Sequence, residues 1–370
     1  MLIVVNSFTQ KALGIEWKNN YGRSNSEESS SYQNNLFTND SSNHIFLVQA
    51  NKQDSLALVD LYDSTDGPHW THHGGWLTKR PLITWYGIVV TNGRVTYLSL
   101  HGNNLMGILP SSIGNLSKLS QLYVGFNKIT GNLPASLGNL INLNYLDLDF
   151  NDFNGTIPST LGNLINVTYL GFSNNQLTGQ IPPSLGNMTK LNEVDLSHNH
   201  LTGNIPPELG MLAKNHANLI LDHNNLSGFI SKSLDSLYQY AQYYFNNNAF
   251  TFAGLERFVQ KHPYTEYAPQ ASIPLTKNNN IFSVHPGGTL AKDTFRWYKN
   301  NVLVATRVGD SNFTATVAGQ YYATVTNAIA KDLTLYSDTV SYTGFADESL
   351  THNSIAGVAV LRNGLRCTLK

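Results

Sequence analysis

From Val95 onward the chain sets two apolar residues either side of a single position and repeats the arrangement every 24 or 25 residues. The pairs are Leu98 and Leu100, Leu122 and Val124, Leu146 and Leu148, Leu170 and Phe172, Val194 and Leu196, Leu219 and Leu221, and Tyr243 and Phe245. A side-chain period of two puts each pair on the inner face of a short strand and the residue between them on the outer face. Three places after each pair stands an asparagine: Asn103, Asn127, Asn151, Asn175, Asn199, Asn224 and Asn248. A side-chain amide at that turn can satisfy backbone groups that the bend leaves unpaired in the interior, so stacked units predict an asparagine ladder. Gly107, Gly131, Gly155, Gly179 and Gly203 fall on the same ruler, as do Pro110, Pro134, Pro158, Pro182 and Pro206. Glycine suits a tight bend and proline fixes φ where the chain leaves the strand layer. About seven such units, each burying its apolar edge against the next, predict a solenoid.

The flanks break this rhythm. In DSLALVDLYDS, Leu56, Leu58, Val59 and Tyr62 have helical spacing behind Asp54 as N-cap, and Trp70, Trp76 and Trp85 follow. Residues 52–94 therefore predict an N-terminal cap that covers the exposed edge of the first unit. The repeats with their C-terminal cap occupy 95–262. Over 268–343 the pattern turns strand-like, with FSVHP, TFRWYKNNVLVAT, FTATVAGQYYATVTN and LTLYSDTVSYT separated by Gly, Asn and Asp turns. These runs predict a small all-β sandwich. Trp297, Tyr321 and Tyr322 sit where an immunoglobulin-like sandwich keeps its core tryptophan and corner tyrosine. Residues 1–51, dense in Ser and Asn, predict a disordered extension, and no structure is assigned to 344–370.

The consensus LxxLxLxxNxLxGxIPxxLGNLxx, matched from Val95 to about Pro207, is similar to the plant-type leucine-rich repeat. The resemblance implies an α/β leucine-rich-repeat solenoid: a right-handed superhelix with parallel strands on its concave face and a second short strand from each GxIP segment. It also implies binding of proteins, peptides or glycans. The cap stretch DSLALVDLYDSTDGPHWT, with WLT and ITWYGI behind it, resembles bacterial surface proteins, and FRWYKNNVLVAT, AGQYYATVTN and LTLYSDTVS resemble the Ig-like modules that accompany them. That likeness implies an extracellular or cell-surface location.

Composition narrows the function classes. Charged residues make up 13% of the chain and the formal net charge is −1, so a phosphate backbone has little to attract it and nucleic acid is not expected. No run approaches the roughly 18 to 20 apolar residues that span a bilayer, so no membrane insertion is expected. The opening MLIVVNSFTQK lacks the basic start and apolar stretch of a secretory signal. Cys367 is the single cysteine, so no disulfide within the chain supports the fold.

The outward strand positions are the candidate binding surface. Tyr97, Tyr123, Phe126, Tyr145, Phe150 and Tyr169 gather aromatics toward the first half. Asp147, Asp149, Glu193, Asp195 and Asp222 place acids along the centre, with His198 and His223 beside them. Exposed rings stack on sugars or apolar side chains, and acids attract cations, so a glycan or a basic peptide fits. Exposed strand positions also tolerate Tyr for its β propensity alone. His198, Asp222 and His223 fall on neighbouring repeats, but polar residues of such a face meet by chance, and no metal or other cofactor is assigned. GxSxG, HExxH and phosphate-cradling glycine loops are missing from the sequence. Asp147 and Asp149 resemble a hydrolytic carboxylate pair only in spacing, since an open strand offers nothing to raise one pKa. The expected function is therefore non-enzymatic recognition of a protein, peptide or glycan. A structural or adhesive surface role is the alternative, and a carbohydrate-active enzyme the minor one.

Overall fold

The computed structural model describes residues 51–344 and two short strands, Val358–Val360 and Arg366–Thr368, which pair antiparallel. The expected disorder before Asn51 and most of the unassigned tail lie outside the described residues. Helix α1, Lys52–Ser64, opens the fold, capped by Asn51, whose side chain accepts from the Gln53 N–H at 2.8 Å. Asp54 is thus not the cap. It is fully buried, takes two bonds from the Arg94 guanidinium (3.0 and 2.8 Å) and one from the Val95 N–H (2.8 Å), and so pins α1 to the first repeat. The helix consequently buries Ala57, Leu58, Leu61 and Tyr62, and Leu56 points to solvent. Trp70 packs edge to face against Tyr62 (5.1 Å) and Trp76 (4.8 Å), Tyr62 and Trp76 stack at 5.9 Å, and the three rings close the apolar end of the stack.

Behind the cap the chain builds two parallel layers. One is a nine-stranded sheet ordered Ile88–Thr91, Arg94–Ser99, Gln121–Tyr123, Tyr145–Asp147, Tyr169–Gly171, Glu193–Asp195, Asn218–Ile220, Tyr243–Tyr244 and Thr265–Glu266. All neighbours are parallel except the first pair, which is antiparallel. The other is a seven-stranded sheet running from Met106–Ile108 to Ala249–Phe250, made from the GxIP segments and their equivalents. Short 3-10 turns such as Ala135–Asn139 and Ser159–Asn163 complete each coil. The inward leucines of every unit are fully buried between these layers.

The asparagines form the ladder. Asn151 is typical: its Nδ2 donates to Val124 O (3.0 Å), Leu148 O (3.2 Å) and Asp149 O (3.2 Å), while its Oδ1 accepts from the Ile129 N–H (3.0 Å). Each amide thus ties its own turn to the preceding unit. The ladder extends past its predicted ends. Asn103 exchanges two bonds with the backbone of His72, and Gln270 takes the next place after Asn248, donating to Phe245 O (2.8 Å) and accepting from the Phe250 N–H (2.9 Å). The expected solenoid boundary at 262 therefore moves to Gln270, because one further strand and one longer amide complete the last coil.

Helix α2, Phe252–Lys261, covers the far end, with Phe252, Leu255 and Phe258 buried. Its Glu256 accepts from the Thr289 N–H (2.8 Å), the Thr289 hydroxyl (2.7 Å) and Asn327 Nδ2 (2.6 Å), which couples the solenoid to the C-terminal sheets. Those sheets are antiparallel. Three strands (Leu275–Asn278, Ile281–Val284, Asn312–Thr314) form one and five (Val302–Val308, Asp293–Lys299, Gly319–Asn327, Thr334–Tyr336, Val340–Tyr342) the other. Trp297 is fully buried against Phe313, and the Tyr321 hydroxyl donates to Val317 O at 2.6 Å. Tyr322 instead lies on the other face of its strand, stacked on Tyr298 at 4.8 Å.

Candidate functional site

The register of the nine-stranded sheet aligns the outward positions into columns. Tyr97, Gln121, Tyr145, Tyr169, Glu193 and Asn218 stand opposite one another, and so do Ser99, Tyr123, Asp147, Gly171, Asp195 and Ile220. Strands about 4.8 Å apart bring rings within stacking distance. Tyr97, Tyr123, Tyr145 and Tyr169 accordingly form a continuous run with centroids 5.6, 4.7 and 4.5 Å apart. Tyr123 joins from the second column because Gln121 occupies its place in the first.

A parallel run lies on the other side of the acids. His101, Phe126 and Phe150 stack at 4.8 and 4.2 Å, with Phe126 47% exposed. Phe126 and Phe150 belong to the column just before the ladder: Gly102, Phe126, Phe150, Asn174, His198, His223 and Asn247. Every member has a left-handed backbone with φ between 52° and 60°. Glycine and asparagine adopt that conformation readily, whereas a bulky side chain there costs on the order of 1 kcal/mol. Four aromatic rings nevertheless stand at these positions.

Between the two runs lie the carboxylates, and here one expectation is corrected. Asp147, Asp149 and Glu193 are buried, not held out in solvent. Asp149 Oδ2 accepts from the Tyr169 hydroxyl (2.8 Å) and its Oδ1 from the Ser173 N–H (2.6 Å). Asp195 Oδ1 accepts from the Ser197 hydroxyl (2.7 Å) and N–H (3.0 Å). The open strand does raise their pKa values, because the neighbouring tyrosines strip away water. Burial pushes Asp195 up to about 7, against the pull of its Ser197 bonds. Burial first, then the charges of Asp195 and Asp147, lifts Asp149 well above the usual carboxylate range. Asp147 and Glu193 are raised by burial as well, and Tyr123 is pushed up to about 12 by burial and then by Tyr97 and Asp147. Both Asp149 oxygens hold structural hydrogen bonds, and the raised pKa values describe a floor of carboxyl groups, crowded together and shielded from water, that hold their protons more tightly than free ones do.

Two glycines, unremarked at the sequence level, make this floor. A Cβ on Gly125 would stand 2.5 Å from Asp147 Oδ1, and one on Gly171 would stand 2.5 Å from Asp149 Oδ2 and 2.6 Å from Tyr169 Cε1. Glycine on an outward strand position signals such close approach. His198, Asp222 and His223 lie one to two repeats beyond Tyr169 and two to three beyond Phe150. Their imidazoles stack at 4.0 Å, His223 Nδ1 lies 2.7 Å from Asp222 Oδ2, and His198 Nε2 lies 3.9 Å from the same oxygen.

Residues 93–153 and 141–201 match the family model for the leucine rich repeat, so the repeats over this stretch are leucine-rich repeats. Among solved structures, the chain is similar to the LRR ectodomain of the plant membrane receptor kinase GASSHO1/SCHENGEN3 from Arabidopsis thaliana, in complex with CASPARIAN STRIP INTEGRITY FACTOR 2. That match has 28% identity over 60% of this chain and 27% of the other, with a TM-score of 0.53. It is also similar to the PEPR1–AtPEP1 structure, at 25% identity over 62% of this chain and 33% of that one, with a TM-score of 0.50. The chain thus spans a third or less of the length of these receptor chains. No helix of the described residues is long and apolar enough to cross a membrane.

Proposed function

We propose that the open face of the nine-stranded sheet recognises an extended, basic peptide segment without chemical turnover. The observation that carries this reading is the uncompensated acid floor. Among the described residues, no lysine or arginine pairs with Asp147, Asp149, Glu193 or Asp195. A Lys or Arg side chain laid between the tyrosine run and the phenylalanine run gains the carboxylates below and ring faces on both sides. The left-handed phenylalanines and histidines support the same reading, because strain retained at an exposed position is a mark of binding surfaces. The resembled plant ectodomain, solved with a bound factor, supports a binding role and an extracellular or cell-surface setting. The cap's likeness to bacterial surface proteins points to such a setting too. The C-terminal sheets, with Trp297 at their centre and the Tyr321 hydroxyl bonded four residues upstream, are read as an Ig-like spacer.

The test is binding of the full chain to arrays of peptides of graded charge and of glycans, with Asp149→Asn/Asp195→Asn and Tyr145→Ala variants alongside. Basic peptides are expected to bind, and both variants to lose them while keeping the parent's circular dichroism. Binding confined to glycans, or no binding with a changed oligomeric state in light scattering, would overturn the peptide reading in favour of glycan recognition or adhesive assembly.

A further inference from the structure

The acid floor and its rings leave unused a second cluster on the same sheet face, and its chemistry is different. His198, Asp222 and His223 each offer one ligand atom, and these atoms all lie within 4.8 Å of one another. Adjacent repeats present them on a fixed backbone: the His198 N–H donates to Asp222 O (3.0 Å) and the His223 N–H to Asn246 O (3.1 Å). The two imidazole side chains are 47% and 43% exposed, so an ion can reach them from solvent, while the Asp222 side chain is 14% exposed.

We infer that His198, Asp222 and His223 form a site for one Zn2+ ion. Zinc takes imidazole nitrogen and carboxylate oxygen at about 2.0 to 2.2 Å, which at tetrahedral angles sets donor atoms roughly 3.3 Å apart. The observed separations from Asp222 Oδ2, 2.7 Å to His223 Nδ1 and 3.9 Å to His198 Nε2, straddle that value. The two rings now stack with their planes 13° apart, so binding one ion turns them out of the stack until both lone pairs point to one centre. In the tautomer that carries its proton on Nε2, His223 offers its Nδ1 lone pair on the side of the Asp222 carboxylate, where the ion would stand. Three protein ligands leave the fourth zinc position facing solvent, on the side from which a ligand of the sheet would approach. The site does not depend on the peptide reading, because the metal is titrated alone.

The chain, stripped with a chelator, is titrated with ZnCl2 in a calorimeter. One equivalent is expected to bind. His198→Asn and His223→Asn are each expected to weaken it by about tenfold or more. Asn174 and Asn247 already hold the same backbone conformation in the same column, so both variants keep the fold. His72→Ala/His73→Ala, in the N-terminal cap, is expected to leave binding as it was. As a second readout on the unaltered chain, the ring protons of His198 and His223 shift in NMR spectra on zinc addition. No saturable binding, binding that survives both histidine changes, or ring resonances that stay in place would overturn the site.

Discussion

Two neighbouring columns of the sheet face obey the same geometry and carry opposite sequence logic. In the ladder column the residue is an asparagine in all seven repeats, ending on Gln270. One step earlier, under an equally constant left-handed backbone, the residue changes from Gly to Phe to Asn to His. The ladder side chain points inward and bonds four backbone groups in most repeats and five at Asn127, as donor and acceptor at once, so a carboxamide serves. The preceding side chain points outward and closes nothing, so the fold asks for left-handed tolerance alone. On the proposed reading, the aromatics placed there against conformational preference are surface for a ligand. On that reading, a shared backbone with divergent side chains separates scaffold from site.

The largest effect should follow from breaking the ladder. Asn151→Ala strands the Ile129 N–H in the interior and removes one of the two donors to each of three carbonyls, and is expected to cost about 2 to 3 kcal/mol, read as a lower urea midpoint. A loss under about 1 kcal/mol would show that water replaces the amide. Gly171→Ala comes next. Its Cβ meets Asp149 and Tyr169 and must displace one of them, which predicts a loss of about 2 kcal/mol and a broken Tyr169–Asp149 hydrogen bond, visible in tyrosine fluorescence. A pH effect follows from Asp195, whose carboxyl ionises at about 7 in the fold and about 3.9 in an unfolded chain. The folded chain then holds more protons between these values, so stability declines as pH rises from about 4 to about 7, and Asp195→Asn flattens that slope. Over the same range a cationic ligand binds more tightly, because it meets an ionised floor. The smallest stability effect belongs to the outward column: Phe150→Asn relieves left-handed strain and loses one ring stack, two terms of about 1 kcal/mol that oppose each other.

The periodic part of the molecule was legible because each repeat states the same instruction again. Inward leucines, the asparagine and the GxIP turn all follow from period and backbone chemistry. The exceptions had physical causes. Asp54 has the residue type of an N-cap, yet it is buried and a partner 40 residues on, Arg94, claims its carboxylate. Gln270 escaped because its longer side chain reaches the ladder from a different backbone position. The acids were read as solvated because an isolated strand exposes alternate residues, whereas stacked repeats let Tyr145 and Tyr169 lie over Asp147 and Asp149. Only Gly125 and Gly171, small residues where neighbours are large, signalled that packing in advance.

The central claim is that the column before the ladder serves a ligand and not the fold, and the Phe126→Asn/Phe150→Asn double variant tests it most directly. Urea unfolding and binding of a basic peptide would be measured on the same preparation. The account predicts a midpoint within about 0.5 kcal/mol of the parent and at least about a tenfold loss of affinity. A midpoint that falls as far as that of Asn151→Ala, or affinity that stays unchanged, would contradict it.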